Sequence, residues 1–386
     1  MNPRERVLLA LNHKEPDRIP IDLGGTIVTS ITKRSYIDLK KYLGMPVEEI
    51  NMLDYIQQLP YINEPLMQRF GVDFRMVQLP AATAHGVAIF EEGDYYAIVD
   101  RWGSKLHMPK DGGLYFDWVE FPFTETSMEA LERYNWPRPD PREYNIKLRQ
   151  QAQNLYENSD YALVGSAIIG GGIFEQPARV IGLENFLMAL VQEPQFADRM
   201  MDRITDIYID SCNNYLDELG QYLHVFIYYD DLCGQEGWMI RPDLYRQLIK
   251  PKQRRLVETI KRKTGAKLFY HSCGASRDLI PDLIDIGFDI INPVQVSARG
   301  MDTRRLKQDF GKDIVFWGGG VDTQHVLPFG KPADVVDEVK RRIDDLAPGG
   351  GFVFAAIHNI QAFVPPENIV AAFDTALEYG KYSGSG

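Results

Sequence analysis

The chain has 386 residues, 45% of them hydrophobic and 25% charged, the profile of a globular protein long enough to bury a large core without covalent staples. Its 54 acidic and 42 basic side chains leave a net charge of −12, which excludes a broad basic face for nucleic acid and disfavours an anionic membrane surface. Three cysteines, Cys212, Cys233 and Cys273, are too few for a disulfide framework and match a reducing, cytoplasmic setting.

The opening segment MNPRERVLLALNHKEPDRIP holds only a short apolar run before Asn12. That run is too short for a signal-peptide core, and its pattern predicts an amphipathic helix. No stretch approaches the ~20 apolar residues of a membrane span. Short runs rich in β-branched and aromatic residues recur at 18–22, 74–78, 162–166, 224–229, 267–271, 288–292, 314–317 and 352–356. Helical periodicity fills much of the space between them, as at 194–219, 242–264 and 333–346. This alternation implies a parallel sheet, and eight strands predict an α/β fold of the (β/α)8 TIM barrel type. A doubly wound sheet is the alternative.

The alternation breaks after the second strand. Residues 85–123 carry strand-like runs around the turn signals EEGD and KDGG, predicting a β-hairpin-rich insertion. Together with the proline-rich connection WPRPDP it occupies 81–141 of a single barrel domain spanning 1–386. Such an insertion either covers the barrel mouth or builds a subunit interface, as in a homodimer.

Barrels present reactive groups at the C-terminal ends of their strands. The fifth strand ends in FYHSCG, and side chains at i and i+2 share one side of a strand. His271 and Cys273 therefore offer an imidazole and a thiol to one point, a zinc-type pair that needs further ligands. A chance His-x-Cys at a buried strand end fits the same pattern. The eighth strand leads into AAIHNIQ, where His358 is either a third ligand across the barrel or a structural histidine.

The fourth strand runs into YYDDLCGQEG. Adjacent carboxylates after a buried strand need a partner, a metal or water, and one of them suits a helix N-cap. Asp230 is the candidate for chemistry, with Glu175 beyond the glycines at 170–172 as a second carboxylate. Tyr229, Gln235 and Trp317 are candidate cofactor contacts, with core packing as the alternative for the aromatics. Cys233 is a reserve ligand, and Cys212 suits a small buried hydrophobe in mid-helix. Neither the glycines at 170–172 nor those at 318–320 complete a nucleotide-binding motif. Both clusters follow strands and allow close backbone approach at the mouth.

These segments also carry a family resemblance. MNPRERVLLALNHKEPDRIPID, DDLCGQEGWMIRPDLY, FYHSCG, WGGGVDTQHVLPFG and APGGGFVFAAIHNIQAFVPPENI together resemble the uroporphyrinogen decarboxylase superfamily over nearly the whole chain. The resemblance implies a (β/α)8 barrel and one of two chemistries. Metal-free decarboxylases of that family carry an arginine-bearing motif after the first strand and an aspartate after the second. Here DLGGT and MVQLP stand in those places.

The other branch comprises zinc-dependent methyltransferases that work with corrinoid proteins, and carries His-x-Cys on one strand and a further Cys near the last. His271 and Cys273 match the first part, and His358 stands in the stretch of the late Cys. This likeness implies Zn²⁺ held by His271, Cys273 and His358, a corrinoid (cobalamin) on a partner protein, and a small methyl donor or acceptor. One thiolate and two neutral histidines leave the site a net positive charge, where two thiolates and one histidine leave none. The centre is then the stronger Lewis acid unless Asp230 or Glu175 also binds, which suits an O-demethylase acting on a methyl ether, or activation of a thiol. The alternative is a metal-independent decarboxylase or lyase for a carboxylated substrate, with Asp230 and His271 as acid and base. A silent binding protein is a third reading.

Overall fold

The computed structural model describes residues 1–79 and 88–382, and its centre is a parallel sheet whose strand order follows the chain. Its seven strands are Phe74–Met76, Ala162–Gly165, Val225–Tyr229, Lys267–His271, Ile290–Asn292, Val315–Trp317 and Phe352–Val353. The eighth predicted position closes the ring. Phe354 N–H donates to Pro20 C=O at 2.8 Å and Phe354 C=O accepts from Asp22 N–H at 2.8 Å, while Asp73 N–H donates to Ile21 C=O at 2.9 Å. Residues 20–22 thus join the last strand to the first of the seven, and the chain forms a (β/α)8 barrel.

Side-chain alternation divides each strand between two cores. Phe74, Val164, Ile227, Phe269, Ile290 and Val315 fill the barrel interior. Their neighbours Leu163, Phe226, Tyr228, Leu268, Ile291 and Phe316 pack outward against the helical layer. Counting two residues on from the inward set brings Tyr229, His271 and Asn292 to the mouth of the barrel. His271 lies in register with Tyr229 on one side and Asn292 on the other.

The first helix, Pro3–Leu11, is capped by Asn2 and Glu5 acting reciprocally, as a capping box should be. Its Arg6 reaches Asp17 and the wholly buried Asp73, each at 2.7 Å, and Arg18 meets Asp73 at 2.8 Å. A buried carboxylate is tolerable only when paired this way. The helix expected over 242–264 is interrupted by a π-turn at Tyr245–Ile249 before Lys250–Lys263. Pro251 has no N–H for the regular ladder, which accounts for the break. Among the described residues no helix is long and apolar enough to cross a membrane.

The insertion forms an antiparallel sheet of Phe90–Glu92, Tyr95–Val99, Lys105–Pro109 and Asp117–Glu120. Glu92 pairs with Tyr95 across Gly93 and Asp94, a two-residue hairpin in which Gly93 takes φ +57°. Residues 81–87 of the expected insertion lie outside the described residues. A small ribbon, Met52–Asp54 against Leu59–Pro60, has no counterpart in the sequence reading.

Candidate metal centre

His271, Cys273 and His358 come together from two strand ends. One ligand atom from each lies within 4.8 Å of the others, and His271 Nε2 is 3.5 Å from Cys273 Sγ. Zinc bonds of about 2.0–2.1 Å to nitrogen and about 2.3 Å to sulfur at a tetrahedral angle set those two atoms about 3.5 Å apart. The donor set and its spacing therefore fit zinc. The rings of His271 and His358 stand 5.4 Å apart between centroids.

Electrostatics favours the same reading. Burial, with a smaller contribution from His271, pushes the His358 imidazole down to about 3, so its lone pair is free at neutral pH. Burial, followed by Asp231 and Glu175, pushes the Cys273 thiol well above its ordinary range. A thiol in that setting ionises only beside a cation. His271 Nδ1 lies 2.6 Å from Asn292 Oδ1, and Asn292 Nδ2 donates to Trp317 C=O at 2.9 Å.

The two adjacent aspartates take different roles. Asp230 is fully buried and accepts from Glu175 N–H at 2.9 Å, Phe174 N–H at 3.1 Å, Tyr228 O–H at 2.7 Å and Gln253 Nε2 at 2.9 Å. It caps the helix Glu175–Ile181, whose own N-cap residue Phe174 supplies no side-chain acceptor. Burial pushes Asp230 up to about 7. Asp231 instead faces the cavity, accepts from Cys273 N–H at 2.8 Å and lies 3.9 Å from His271 Nε2. Burial and Glu175 push this carboxyl up as well. Gly172 makes the Asp230 cap possible, because a Cβ there would stand 2.1 Å from the Asp230 carboxyl carbon.

A cavity of about 590 Å³ opens above this centre, with His271, His358 and Asp231 in its wall. The insertion lies over it: Ile98, Trp102, Tyr115, Phe116 and Trp118 line the same space. Trp102 Nε1 donates to Ile169 C=O at 2.6 Å, Ser104 Oγ donates to Arg179 C=O at 2.7 Å, and the Arg179 guanidinium lies 4.8 Å from the Trp118 ring centre. Of the two arrangements expected for the insertion, the structure shows a roof over the barrel mouth. Glu175 lines the cavity and pairs with Arg179.

The remaining candidates separate. Tyr229 lines the cavity, its ring 6.3 Å from that of His271. Trp317 does not: it is wholly buried in the barrel, packed on Phe74 and Phe269, with its indole donating to Asp22 at 2.9 Å. Gln235 is exposed at the turn between Cys233–Gly234 and Gly237–Trp238, outside the cavity wall. Cys233 is buried, pushed up to about 12 by its burial, and stands outside the ligand cluster. Cys212 is buried in the helix Pro194–Leu219, as its small apolar character implies. Of the adjacent carboxylates the sequence predicts one cap and one chemical group, with Asp230 as the candidate for chemistry, whereas Asp230 is the cap and Asp231 faces the cavity; Asn292 went unread, although strand alternation points to it.

A barrel with a histidine–thiol cluster beneath a roofed cavity defines a class of catalytic scaffold, and the family follows from comparison. Residues 89–379 match the model of the family described as uroporphyrinogen decarboxylase (URO-D), and the chain belongs to that family. A comparison with curated proteins finds no match. Among solved structures, a methyltransferase from Methanosarcina mazei is similar at 16% identity and a TM-score of 0.63, over 98% of this chain and 99% of that one. A GH113 β-1,4-mannanase aligns at 11% identity and a TM-score of 0.38, over 94% of this chain and 99% of its own. At 16% identity the likeness to the methyltransferase is one of fold.

Proposed function

We propose that this protein is a zinc-dependent methyltransferase that moves a methyl group between a small methylated substrate, a methyl ether or a thiol, and a corrinoid carried by a partner protein. The observation that carries the reading is the 3.5 Å separation of His271 Nε2 and Cys273 Sγ, with His358 completing a cluster at the cavity wall. The similar methanogen protein is itself named a methyltransferase, which supports the choice between the two chemistries of the family. Bound zinc supplies Lewis acidity, either to hold a thiol as thiolate or to stabilise the oxygen that loses its methyl group.

The chain's own residues set the stage for that chemistry. His358, held neutral by burial, and His271 offer nitrogen lone pairs, and Cys273 is the thiol of the cluster. Asp231 pins the Cys273 backbone. Trp102, Phe116 and Trp118 exclude water and present apolar surface to a small substrate. A metal-free decarboxylation of a polycarboxylate is disfavoured by the same wall. Its described lining includes Asp54, Asp100, Asp117, Asp140, Glu175 and Asp231 against Arg101 and Arg179, and those arginines already pair with Asp140 and Glu175.

The test is metal analysis of the purified protein together with methyl transfer to reduced cobalamin. The reading expects zinc near one per chain, lost in His358→Ala, and methylation of cobalamin by an aryl methyl ether or the reverse transfer to a thiol. Absence of zinc, or full metal occupancy in His358→Ala, overturns it.

A further inference from the structure

We propose that Asn292 is the positioning residue of this centre: it fixes His271 as the Nδ1–H tautomer and so hands the Nε2 lone pair to the metal. The inference rests on the metal-site reading above and adds a residue to it. The hydrogen-bond chain decides the orientation of each group. Trp317 C=O can only accept, so the Asn292 atom 2.9 Å from it is the amide nitrogen. The amide oxygen is then the atom 2.6 Å from His271 Nδ1. An amide oxygen can only accept, so Nδ1 carries the proton and Nε2, in the neutral ring, carries the lone pair. Nε2 is the atom that faces Cys273 Sγ at 3.5 Å.

The supports of Asn292 are themselves fixed. Trp317 is held from its other end, where the indole N–H donates to the buried Asp22 at 2.9 Å. Asp22 also accepts from Thr29 Oγ1 at 2.6 Å and Gly25 N–H at 2.7 Å. Gly318, at φ +87°, leaves room for the amide, since a Cβ there would lie 3.1 Å from Asn292 Nδ2. The Asn292 side chain is wholly buried, so no water competes for either end of the amide. A metal-bound histidine usually donates its second N–H to an outer partner that sets ring orientation. Here that partner is a neutral amide, which orients the ring without adding negative charge behind it.

The decisive measurement is the ¹⁵N spectrum of the metal-free, ¹⁵N-histidine-labelled protein, with the His271 signals assigned by their loss in His271→Gln. Wild type is expected to show a protonated, pyrrole-type Nδ1 and a pyridine-type Nε2 at His271. Asn292→Leu is expected to lose that preference and to bind zinc about 10- to 100-fold more weakly in competition with a chromogenic chelator. Asn292→Asp keeps the acceptor for Nδ1 but sets its second oxygen against the Trp317 carbonyl, so it is expected to restore the tautomer without restoring wild-type stability. An Nε2–H tautomer in wild type overturns the proposal, and this outcome does not depend on either Asn292 variant. Asn292→Leu with a wild-type tautomer and zinc affinity within about threefold also overturns it, as does Asn292→Asp without the Nδ1–H tautomer. If the purified protein holds no zinc, the functional reading falls, while the tautomer of the metal-free wild type still decides the role of Asn292.

Discussion

Replacing Asp230 by alanine separates a structural carboxylate from a catalytic one. The substitution deletes the acceptor for Phe174 N–H, Glu175 N–H, Tyr228 O–H and Gln253 Nε2 at a fully buried position. Gln253 keeps the Tyr228 and Tyr270 hydroxyls as acceptors, so the loss falls on the Tyr228 O–H and on the two N–H groups at the start of the helix Glu175–Ile181. Orphaning a buried donor costs about 1–3 kcal/mol, so three give about 3–9 kcal/mol. Relief of burying a carboxylate offsets part of this, leaving about 3 kcal/mol near pH 7. Asp230→Asn keeps one acceptor oxygen and is expected to cost about 1–2 kcal/mol.

The pH dependence gives a second handle. Burial raises the carboxyl from its ordinary 3.8 to about 7, so between those values the folded state holds the proton and the unfolded state has released it. Wild type therefore gains stability over Asp230→Asn at low pH and loses that gain as pH rises from about 4 to about 7, by at most about 4 kcal/mol. Urea unfolding followed by circular dichroism between pH 5 and 8 measures both quantities. Asp230→Ala within 1 kcal/mol of wild type refutes the capping role, and a flat difference between wild type and Asp230→Asn across that range refutes the upward shift of the carboxyl. Asp230→Asn with wild-type stability and no turnover would instead return Asp230 to catalysis.

Zinc added to the metal-free protein at pH 7 is expected to displace a proton from Cys273, held as a thiol by burial, and none from His358. Calorimetry in buffers of different ionisation enthalpy reads this count, and Cys273→Ser should abolish the thiol's share. Arg6→Met strips one of two cations from the buried Asp73 and should cost about 3 kcal/mol in urea unfolding; a cost below 1 kcal/mol would show that Arg18 suffices. Trp118→Ala removes apolar surface from the cavity roof and should raise KM for the small substrate at least about tenfold, with zinc content unchanged. Loss of zinc in that variant would place the indole in the metal centre's support instead.

Much of this was legible in the sequence because the physics is local. Eight β-branched and aromatic runs foretold the barrel, and alternation placed His271 and Cys273 on one side of a strand end. The choice between Asp230 and Asp231 needed the same alternation carried past the strand: Ile227 and Tyr229 face inward, so Asp230 turns out and Asp231 turns in. Asn292 follows Ile290 by two and is inward by the same count, but a neutral amide does not stand out in a search for titrating groups. Trp317 shares that inward parity, yet its bulk fills the barrel interior below the cavity. The roof was legible only as one of two arrangements of the insertion. It rests on contacts such as Trp102 to Ile169 and Ser104 to Arg179, which join segments about seventy residues apart.

Two neutral groups stand where anions would be the ordinary choice, and they act in one direction. His358 stands in the cluster where a second thiolate would be the anionic choice, and Asn292, not a carboxylate, accepts from His271 Nδ1. Each choice leaves more of a bound cation's charge uncompensated by its ligands and their supports. Asp231 opposes this from 3.9 Å, but its carboxyl is engaged by the Cys273 N–H and raised by burial. The residual charge of a bound cation would face a cavity rich in aromatic side chains and acidic in balance, which on the proposed reading suits a neutral methyl ether or thiol better than a polycarboxylate. The overall acidity of the chain and its scarcity of cysteine, unremarkable as composition, thus converge at the proposed metal centre.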